Sequence, residues 1–128
     1  MKVARLGWMG VKTRQFDQMN AFYRDVLNLD ASSIDGKSGR FKLGDGTEVH
    51  VYGQLDEDHC FFGDGPVVAL EVTDFAVARA RLLSAGIKFV YEEPQRASGK
   101  IWQHFIAPDG NVYEIIGNDV ASWSDLKR

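Results

Sequence analysis

This chain has little of what several specialised protein classes require. Its 128 residues include a single cysteine, Cys60, which excludes an internal disulfide and a cysteine-rich zinc site. No apolar run approaches the ~20 residues that a membrane-spanning helix needs. Lys2 and Arg5 are not followed by the apolar run of a signal peptide. These features predict a cytoplasmic protein with no membrane partner.

The chain also lacks an excess of positive charge. It has 15 lysines and arginines against 18 aspartates and glutamates, a formal net charge of −3, and its basic residues are scattered. A nucleic-acid-binding protein normally carries a basic patch that displaces counterions from phosphates. We therefore expect no nucleic-acid partner.

What the sequence does contain is an internal repeat. The segment 7–16, GWMGVKTRQF, is echoed by 66–75, PVVALEVTDF, and the segment 44–51, GDGTEVHV, is echoed by 108–115, PDGNVYEI. Two like halves can enclose a cleft, and clefts are where small molecules bind. We expect any function of the protein to lie there.

Each half predicts the same order of elements, β-α-β-β-β. Alternation of apolar and polar residues predicts strands at 3–13, 31–34, 40–43, 48–52, 67–72, 87–91, 101–106 and 111–116. Apolar spacings of three and four predict a helix at 16–27, and a second helix is expected at 75–85, ended by Gly86. The apolar stripe of the first helix consists of Phe16, Met19, Phe22, Tyr23, Val26 and Leu27.

The predicted fold class is α+β. Two βαβββ modules related by pseudo-twofold symmetry are expected to form a curved mixed sheet that encloses a cleft, with the helices outside. Within a single domain, the first module spans about 3–53, a linker about 54–65, the second module about 66–117 and a C-terminal tail 118–128. Three glycines and four acidic residues in and beside the linker predict an exposed, solvated loop, including His59 and Cys60.

Alternation within the strands assigns side chains to the two faces of each sheet. Met9, Val11, Val49 and Val51 are expected under the first helix. If the hairpin loop has an odd number of residues, Phe41 and Leu43 join them; an even loop would bury the charges of Arg40 and Lys42. The opposite, open face is mixed, and its notable members are Trp8, Gly10, Lys12, Glu48, His50, Tyr52, Glu71, Trp102, His104 and Glu114.

Several of these open-face residues are candidates for ligand binding or catalysis. His50 and Glu114 occupy equivalent places in the repeat, so they are expected to approach each other, either as an acid/base pair or as a polar pair bridging the modules. Trp8, Tyr52 and Trp102 could form an aromatic wall for a flat or cationic ligand. Trp8 could equally be core packing.

Three other open-face residues leave two interpretations each. Lys12 and Glu71 are expected to form a salt bridge on the central strands, or else to contact a charged ligand. His104 lies one strand from Glu114 and could bind the ligand. A metal site made of His50, His104 and Glu114 is the alternative role.

Two of these motifs resemble those of a known superfamily. The first helix contains FYRDVLNL at 22–29, and the last strand with the turn before it reads PDGNVYEI at 108–115. With the paired β-α-β-β-β order, they resemble the vicinal oxygen chelate superfamily, which includes glyoxalase I, bleomycin-resistance proteins, extradiol dioxygenases and fosfomycin-resistance enzymes. The resemblance covers residues 3–117 and implies the same fold and a homodimer.

The resemblance also implies where a divalent metal would bind. Members that use a metal take one ligand from the first and last strand of each module, usually His, Glu or Gln. Those positions fall on Trp8, His50, Val67 and Glu114. The indole nitrogen only donates and valine has no lone pair, so two of the four positions cannot ligate. We therefore expect no metal cofactor.

The leading functional hypothesis is a metal-free protein that binds a small molecule in the cleft between the modules. It would use Trp8, Tyr52, Trp102, His104, Lys12 and Glu71. A second hypothesis is a metal-free enzyme in which His50 and Glu114 transfer protons. A third is a metal-dependent lyase or dioxygenase with a rebuilt site.

Overall fold

The computed structural model describes residues 1–63 and 65–120 of the chain. These residues belong to two compact units. Among the described residues, 8–63 and 65–68 form the N-terminal unit, and 1–7 together with 69–120 form the C-terminal unit.

The predicted order of elements is found in the described residues. The strands are β1 (Val3–Lys12), β2 (Asp30–Ile34), β3 (Ser38–Lys42), β4 (Glu48–Tyr52), β5 (Val67–Val72), β6 (Lys88–Phe89), β7 (Gln95–Ala97), β8 (Lys100–Ile106) and β9 (Val112–Asn118). The helices are α1 (Phe16–Ala21), which continues into a π-helical turn (Phe22–Val26), and α2 (Phe75–Ser84). Because parallel and antiparallel pairs both occur, the predicted α+β class with a mixed sheet is confirmed.

In the N-terminal unit the strands lie in the order β2-β3-β4-β1. β1 runs parallel to β4, and β2, β3 and β4 are antiparallel neighbours. Lys42 lies opposite Glu48, which leaves residues 43–47 as the hairpin loop. The loop therefore has an odd number of residues, as predicted, and Phe41 packs with Val49 and Val51 in the core.

The first helix is shorter than predicted and changes type. The backbone N–H of Leu27 donates to the carbonyl of Phe22, five residues earlier, which is the hydrogen bond of a π-turn. The wider turn rotates the side chains that follow it. Tyr23 is buried, but Phe22, Val26 and Leu27 are exposed, so the prediction of one continuous apolar stripe is wrong in this last part.

In the C-terminal unit the strands lie in the order β5-β9-β8-β6, and β7 also pairs with β8. The core of this unit is built from α2 and the strands beneath it, and its buried members are Val72, Phe75, Ala78, Ile101, Phe105 and Ile115. The side chain of Asp74 accepts a hydrogen bond from the Val77 N–H and begins α2. Gly86, at φ +81°, ends it as predicted.

β7 lies in a segment, 92–99, that the sequence pattern predicts to be a loop between the strands 87–91 and 101–106, and this prediction is wrong for Gln95–Ala97. The buried amide of Gln103 donates to the carbonyls of Tyr91 and Glu92, at 2.7 and 3.0 Å, and holds the chain beside β8 where β7 can pair. The predicted tail also begins later, because β9 extends to Asn118. Residues 121–128 of the predicted tail lie outside the described residues.

Candidate functional site

The open face of the N-terminal unit is formed by alternate residues of β1 and β4. Glu48, His50 and Tyr52 are two residues apart along β4, so their side chains leave the same face of the strand. The parallel register places Gly10 beside His50 and Lys12 beside Tyr52. The assignment of these residues to the face opposite the helix is confirmed, because Val49 and Val51 pack in the helix-covered core.

Trp8 fills the corner of this face next to His50. The indole and imidazole rings are stacked, with centroids 4.6 Å apart and planes inclined by 14°. The indole reaches His50 by lying over Gly10, where a Cβ atom would stand 2.8 Å from Cζ3 of Trp8. The glycine therefore leaves the space that the stacked ring needs.

Both ring nitrogens of His50 are engaged by its neighbours on β4. Nε2 lies 3.0 Å from a carboxylate oxygen of Glu48, and Nδ1 lies 2.9 Å from the hydroxyl of Tyr52. A carboxylate can only accept a hydrogen bond, so Nε2 carries the proton and Nδ1 of the neutral ring accepts from Tyr52. The result is a Glu48–His50–Tyr52 chain with a fixed imidazole tautomer.

The surroundings keep this histidine uncharged. Burial, assisted by the positive charge of Arg40, lowers the pKa of His50 below its usual 6.5, and Glu48 only partly offsets this. For Glu48, burial alone would raise the pKa. Hydrogen bonds from His50 and Ser32 outweigh it and hold the pKa of the Glu48 carboxyl below its ordinary value. A neutral imidazole next to a carboxylate anion is the state of a general base.

The segment after β4 is not the exposed, solvated loop that the sequence predicted. Asp56 and Phe62 are buried, and the His59 ring stacks on Tyr52 with centroids 3.9 Å apart. The Phe62 ring centroid lies 5.8 Å from that of Tyr52 and 6.5 Å from that of Trp8. The prediction failed because the aromatic residues of this polar segment find apolar partners on the open face. Cys60 remains exposed, as expected.

The predicted salt bridge between Lys12 and Glu71 is wrong. The Lys12 ammonium donates to the backbone carbonyl of Asp56 and lies 3.7 Å from its carboxylate. Glu71 instead pairs with Arg5, and Lys100 lies 4.0 Å from it. Each side chain takes the opposite charge that its own unit places nearest.

In the C-terminal unit, His104 and Glu114 lie opposite each other on β8 and β9. Both are buried, and Nε2 of His104 is 3.0 Å from a carboxylate oxygen of Glu114. Trp102, two residues before His104, donates from Nε1 to Gln95 at 2.8 Å. The three predicted residues thus share one face of these strands. The approach of His50 to Glu114 stays a prediction.

The structure adds three residues that the sequence-based site omitted. Asp56 and His59 hydrogen-bond each other at 3.0 Å, and Phe62 covers the aromatic rings of the open face. The HCFF stretch at 59–62 was the available signal, because two adjacent phenylalanines in a polar segment are usually buried. Glu48, which was assigned to the open face but to no role, orients His50.

The donor atoms at the superfamily's metal positions do not fit a divalent ion. Trp8 and Val67 offer no ligand atom, and both nitrogens of His50 are held by Glu48 and Tyr52. Catalytic zinc sites normally have three protein ligands. Within residues 1–63 and 65–120, no group of three or more His, Cys, Asp or Glu side chains is arranged to hold a metal.

Two surface cavities lie away from these residues. One, of about 560 Å³, is in the N-terminal unit and is lined by Arg14, Gln15, Phe16, Asp17, Gln18, Gly36, Gly53, Gln54 and Leu55. The other, of about 600 Å³, is in the C-terminal unit and is lined by Arg79, Leu83, Ile87, Lys88, Phe89, Glu92 and Glu93. Neither cavity includes a ligand-binding residue predicted from the sequence. In the described chain, neither helix has the length and apolar character of a membrane span.

Solved structures with a similar fold include bacterial epimerases. The methylmalonyl-CoA epimerase of Streptomyces coelicolor, in complex with 2-nitronate-propionyl-CoA, superimposes with a TM-score of 0.69 at 17% identity, covering 93% of this chain and 100% of that one. The Mycobacterium tuberculosis methylmalonyl-CoA epimerase gives 0.69 at 21% identity, covering 92% and 90%. A hypothetical protein of Bacillus halodurans C-125 gives 0.71 at 16% identity, covering 91% and 95%. At these identities the likeness concerns the fold alone.

Family membership rests on the sequence itself. A search of curated proteins finds no significant match. The family model for the Glyoxalase/Bleomycin resistance protein/Dioxygenase superfamily, however, matches residues 5–115. This match includes β2 to β8 in full and most of β1 and β9. The chain belongs to the Glyoxalase/Bleomycin resistance protein/Dioxygenase superfamily.

Proposed function

We propose that this protein binds a small organic molecule on the open face of β1 and β4, without a divalent metal at the superfamily's chelating positions. The observation that carries the proposal is the stacking of Trp8 on His50, at 4.6 Å, with both imidazole nitrogens hydrogen-bonded to Glu48 and Tyr52. The indole of Trp8 occupies a position where a metal site would need a chelating side chain. At the position of His50, both imidazole nitrogens are already hydrogen-bonded.

The same residues suit a binding surface. Indole, phenol and imidazole rings provide apolar area, and Lys12 and Glu48 provide charges that can orient a ligand. Trp102, His104 and Glu114 form the corresponding surface of β8 and β9. A protein of similar fold, the Streptomyces coelicolor methylmalonyl-CoA epimerase, is solved with a CoA derivative bound, which supports a small organic ligand here.

The test has two parts. The purified full-length protein is exposed to Mn²⁺, Zn²⁺ and Fe²⁺, desalted and analysed for metal content. We expect less than one ion per ten chains. It is then titrated with methylmalonyl-CoA and with a panel of aromatic and aliphatic acids, with and without EDTA, and tryptophan fluorescence is followed. Saturable binding that EDTA does not change supports the proposal. Stoichiometric metal that is lost in His50→Ala would overturn it in favour of a metal-dependent lyase or dioxygenase.

A second function, metal-free proton transfer, is favoured by one observation. His50 is held as a neutral base between Glu48 and Tyr52, the arrangement in which a carboxylate fixes the tautomer of a catalytic histidine. Glu114 is the predicted second acid/base group. The test is hydrogen exchange at the α-carbon of methylmalonyl-CoA in D₂O with EDTA present. Exchange that disappears in His50→Ala and in Glu114→Gln supports proton transfer, and no exchange by the wild type excludes it for this substrate.

A further inference from the structure

We propose that residues 54–62, here named the cover segment, are a movable cover. In the closed state Asp56 and His59 occupy the places that the acidic group and the planar ring of a ligand take when the cover opens. The inference rests on the proposed function and adds to it the chemical class of the ligand, a planar aromatic acid, and a gate.

The contacts of Tyr52 indicate that the ligand has a planar ring. The His59 imidazole lies parallel to the phenol ring, 3.9 Å between centroids at an interplanar angle of 27°, and Phe62 meets the same phenol edge-on. Stacked and edge-on contacts of this kind stabilise aromatic pairs beyond the area they bury. The face of the Tyr52 ring that His59 covers is therefore a ring-binding surface that the chain itself fills.

The contacts of Lys12, the register partner of Tyr52, indicate that the ligand carries an acidic group. Its ammonium is largely buried and is met by the backbone carbonyl and the carboxylate of Asp56. The Asp56 carboxylate also accepts hydrogen bonds from the backbone N–H and from the ring of His59, both at 3.0 Å. The carboxylate of Asp56 therefore lies against the Lys12 ammonium, while the hydrogen-bonded ring of His59 lies against the Tyr52 phenol. A single aromatic acid would present its carboxylate and its ring to Lys12 and Tyr52 in the same way.

The attachments of the cover segment allow it to open. The segment contains neither strand nor helix, and two of its backbone hydrogen bonds, Asp56 to Gly53 and Phe62 to His59, close local turns. Leu55, Glu57 and Asp58 of the cover segment are exposed. Regions of this kind open at a lower free energy than the strands they cover. Opening exposes Trp8 and Tyr52 together.

The test compares the full-length wild type with Asp56→Asn, which weakens the hold of the cover on Lys12. The matched control is Asp58→Asn, which makes the same charge change at an exposed acid of the same segment. The probe is 2-naphthoate, measured by calorimetry. Because a closed cover reduces apparent affinity by the fraction of open molecules, we expect Asp56→Asn to bind about tenfold more tightly, and Asp58→Asn to bind like the wild type.

Two further probes separate the ring from the acid. 2-Naphthalenemethanol has the ring without the charge, and cyclohexanecarboxylate has the charge without a flat ring. We expect both to bind more weakly than 2-naphthoate. In Lys12→Met, 2-naphthoate should no longer bind more tightly than 2-naphthalenemethanol. An unchanged advantage in Lys12→Met would overturn the assignment of Lys12 as the partner of the acid.

Amide hydrogen exchange tests the gate without any ligand. We expect the His59 amide to exchange several-fold faster in Asp56→Asn than in the wild type, with the Val51 amide of β4 unchanged. Equal exchange of the His59 and Val51 amides in the wild type would overturn the movable cover. If the cover opens but 2-naphthoate fails to bind Asp56→Asn, the ligand class is wrong. Binding of another compound from the panel above would then leave the proposed function intact.

Discussion

The indole of Trp8 lies flat against the imidazole of His50, with ring centroids 4.6 Å apart. These residues stand at two of the four positions where the superfamily places metal ligands. His50 turns its nitrogens along β4 toward Glu48 and Tyr52. The indole of Trp8, which offers no ligand atom, and the hydrogen-bonded ring of His50 therefore form a packed aromatic pair.

Truncating Trp8 should destabilise the protein strongly. Trp8 is 9% exposed, and removal of a buried tryptophan ring typically costs about 3–5 kcal/mol of unfolding free energy, because a cavity remains. We expect Trp8→Ala to fall in this range and Trp8→Phe, which keeps a ring over Gly10, to lose less. Urea unfolding followed by circular dichroism measures both. Equal losses would contradict a role for the stacked ring.

Adding a methyl group at Gly10 should displace the indole. The new Cβ would stand 2.8 Å from the Trp8 ring and 3.2 Å from the His50 carbonyl oxygen, and overpacking of this kind costs about 1–3 kcal/mol. In a protein that already carries Trp8→Ala, the contact with the indole is absent. Gly10→Ala should therefore lower the free energy of unfolding by less in that variant than in the wild type. A double-mutant cycle from urea unfolding gives the coupling energy. Additive effects would show that the ring does not depend on the space over Gly10.

The stability of the protein should fall as pH decreases from about 6.5, the pKa of an unperturbed histidine. Burial lowers the pKa of His50 in the folded state, so below this pH the unfolded chain binds a proton that the folded chain resists. The loss continues until the pH reaches the folded pKa. Glu48 stays ionised in this window, because its folded pKa is below its usual value. As the pH is lowered from 8 to 5.5, the urea concentration at the midpoint of unfolding should decrease less in His50→Gln than in the wild type. Parallel plots of midpoint against pH for the two proteins would contradict this.

Neutralising Glu48 should make His50 harder to protonate. The Glu48 carboxylate raises the pKa of His50 through a hydrogen bond and through its charge, and thereby partly offsets burial. In Glu48→Gln both contributions are weakened, so the pKa of His50 should decrease further. NMR titration of the imidazole nitrogens reports the pKa and the tautomer together. An unchanged pKa, with the Nε2-protonated tautomer retained, would show that Glu48 does not control this ring.

The alternation of residues predicted the faces of the strands correctly. Met9, Val11, Val49 and Val51 lie in the core of the N-terminal unit, and Trp8, His50 and Tyr52 lie on the other face. The reason is that β-strand side chains alternate strictly, so a local pattern fixes the face. The odd hairpin loop followed from the cost of burying Arg40 and Lys42, which is also a local argument.

Helix length was less predictable from the same kind of pattern. The spacing of apolar residues at 16–27 is compatible with an α-helix throughout, but the chain inserts a π-turn at Phe22–Val26 and leaves Val26 exposed. A single wider turn changes the direction of every later side chain in the helix. Nothing in the spacing of the residues distinguishes the two arrangements, since both satisfy the backbone hydrogen bonds.

By itself, the sequence determined the superfamily, the order of the elements and the absence of ligating atoms at Trp8 and Val67. These depend on residue identity and local periodicity. Only the tertiary structure decided that Lys12 pairs with Asp56, that Glu71 pairs with Arg5, and that His59 covers Tyr52. Partners of charged and aromatic side chains are selected by distance after the chain has folded, and residues far apart in sequence can then be closer than those that the repeat relates.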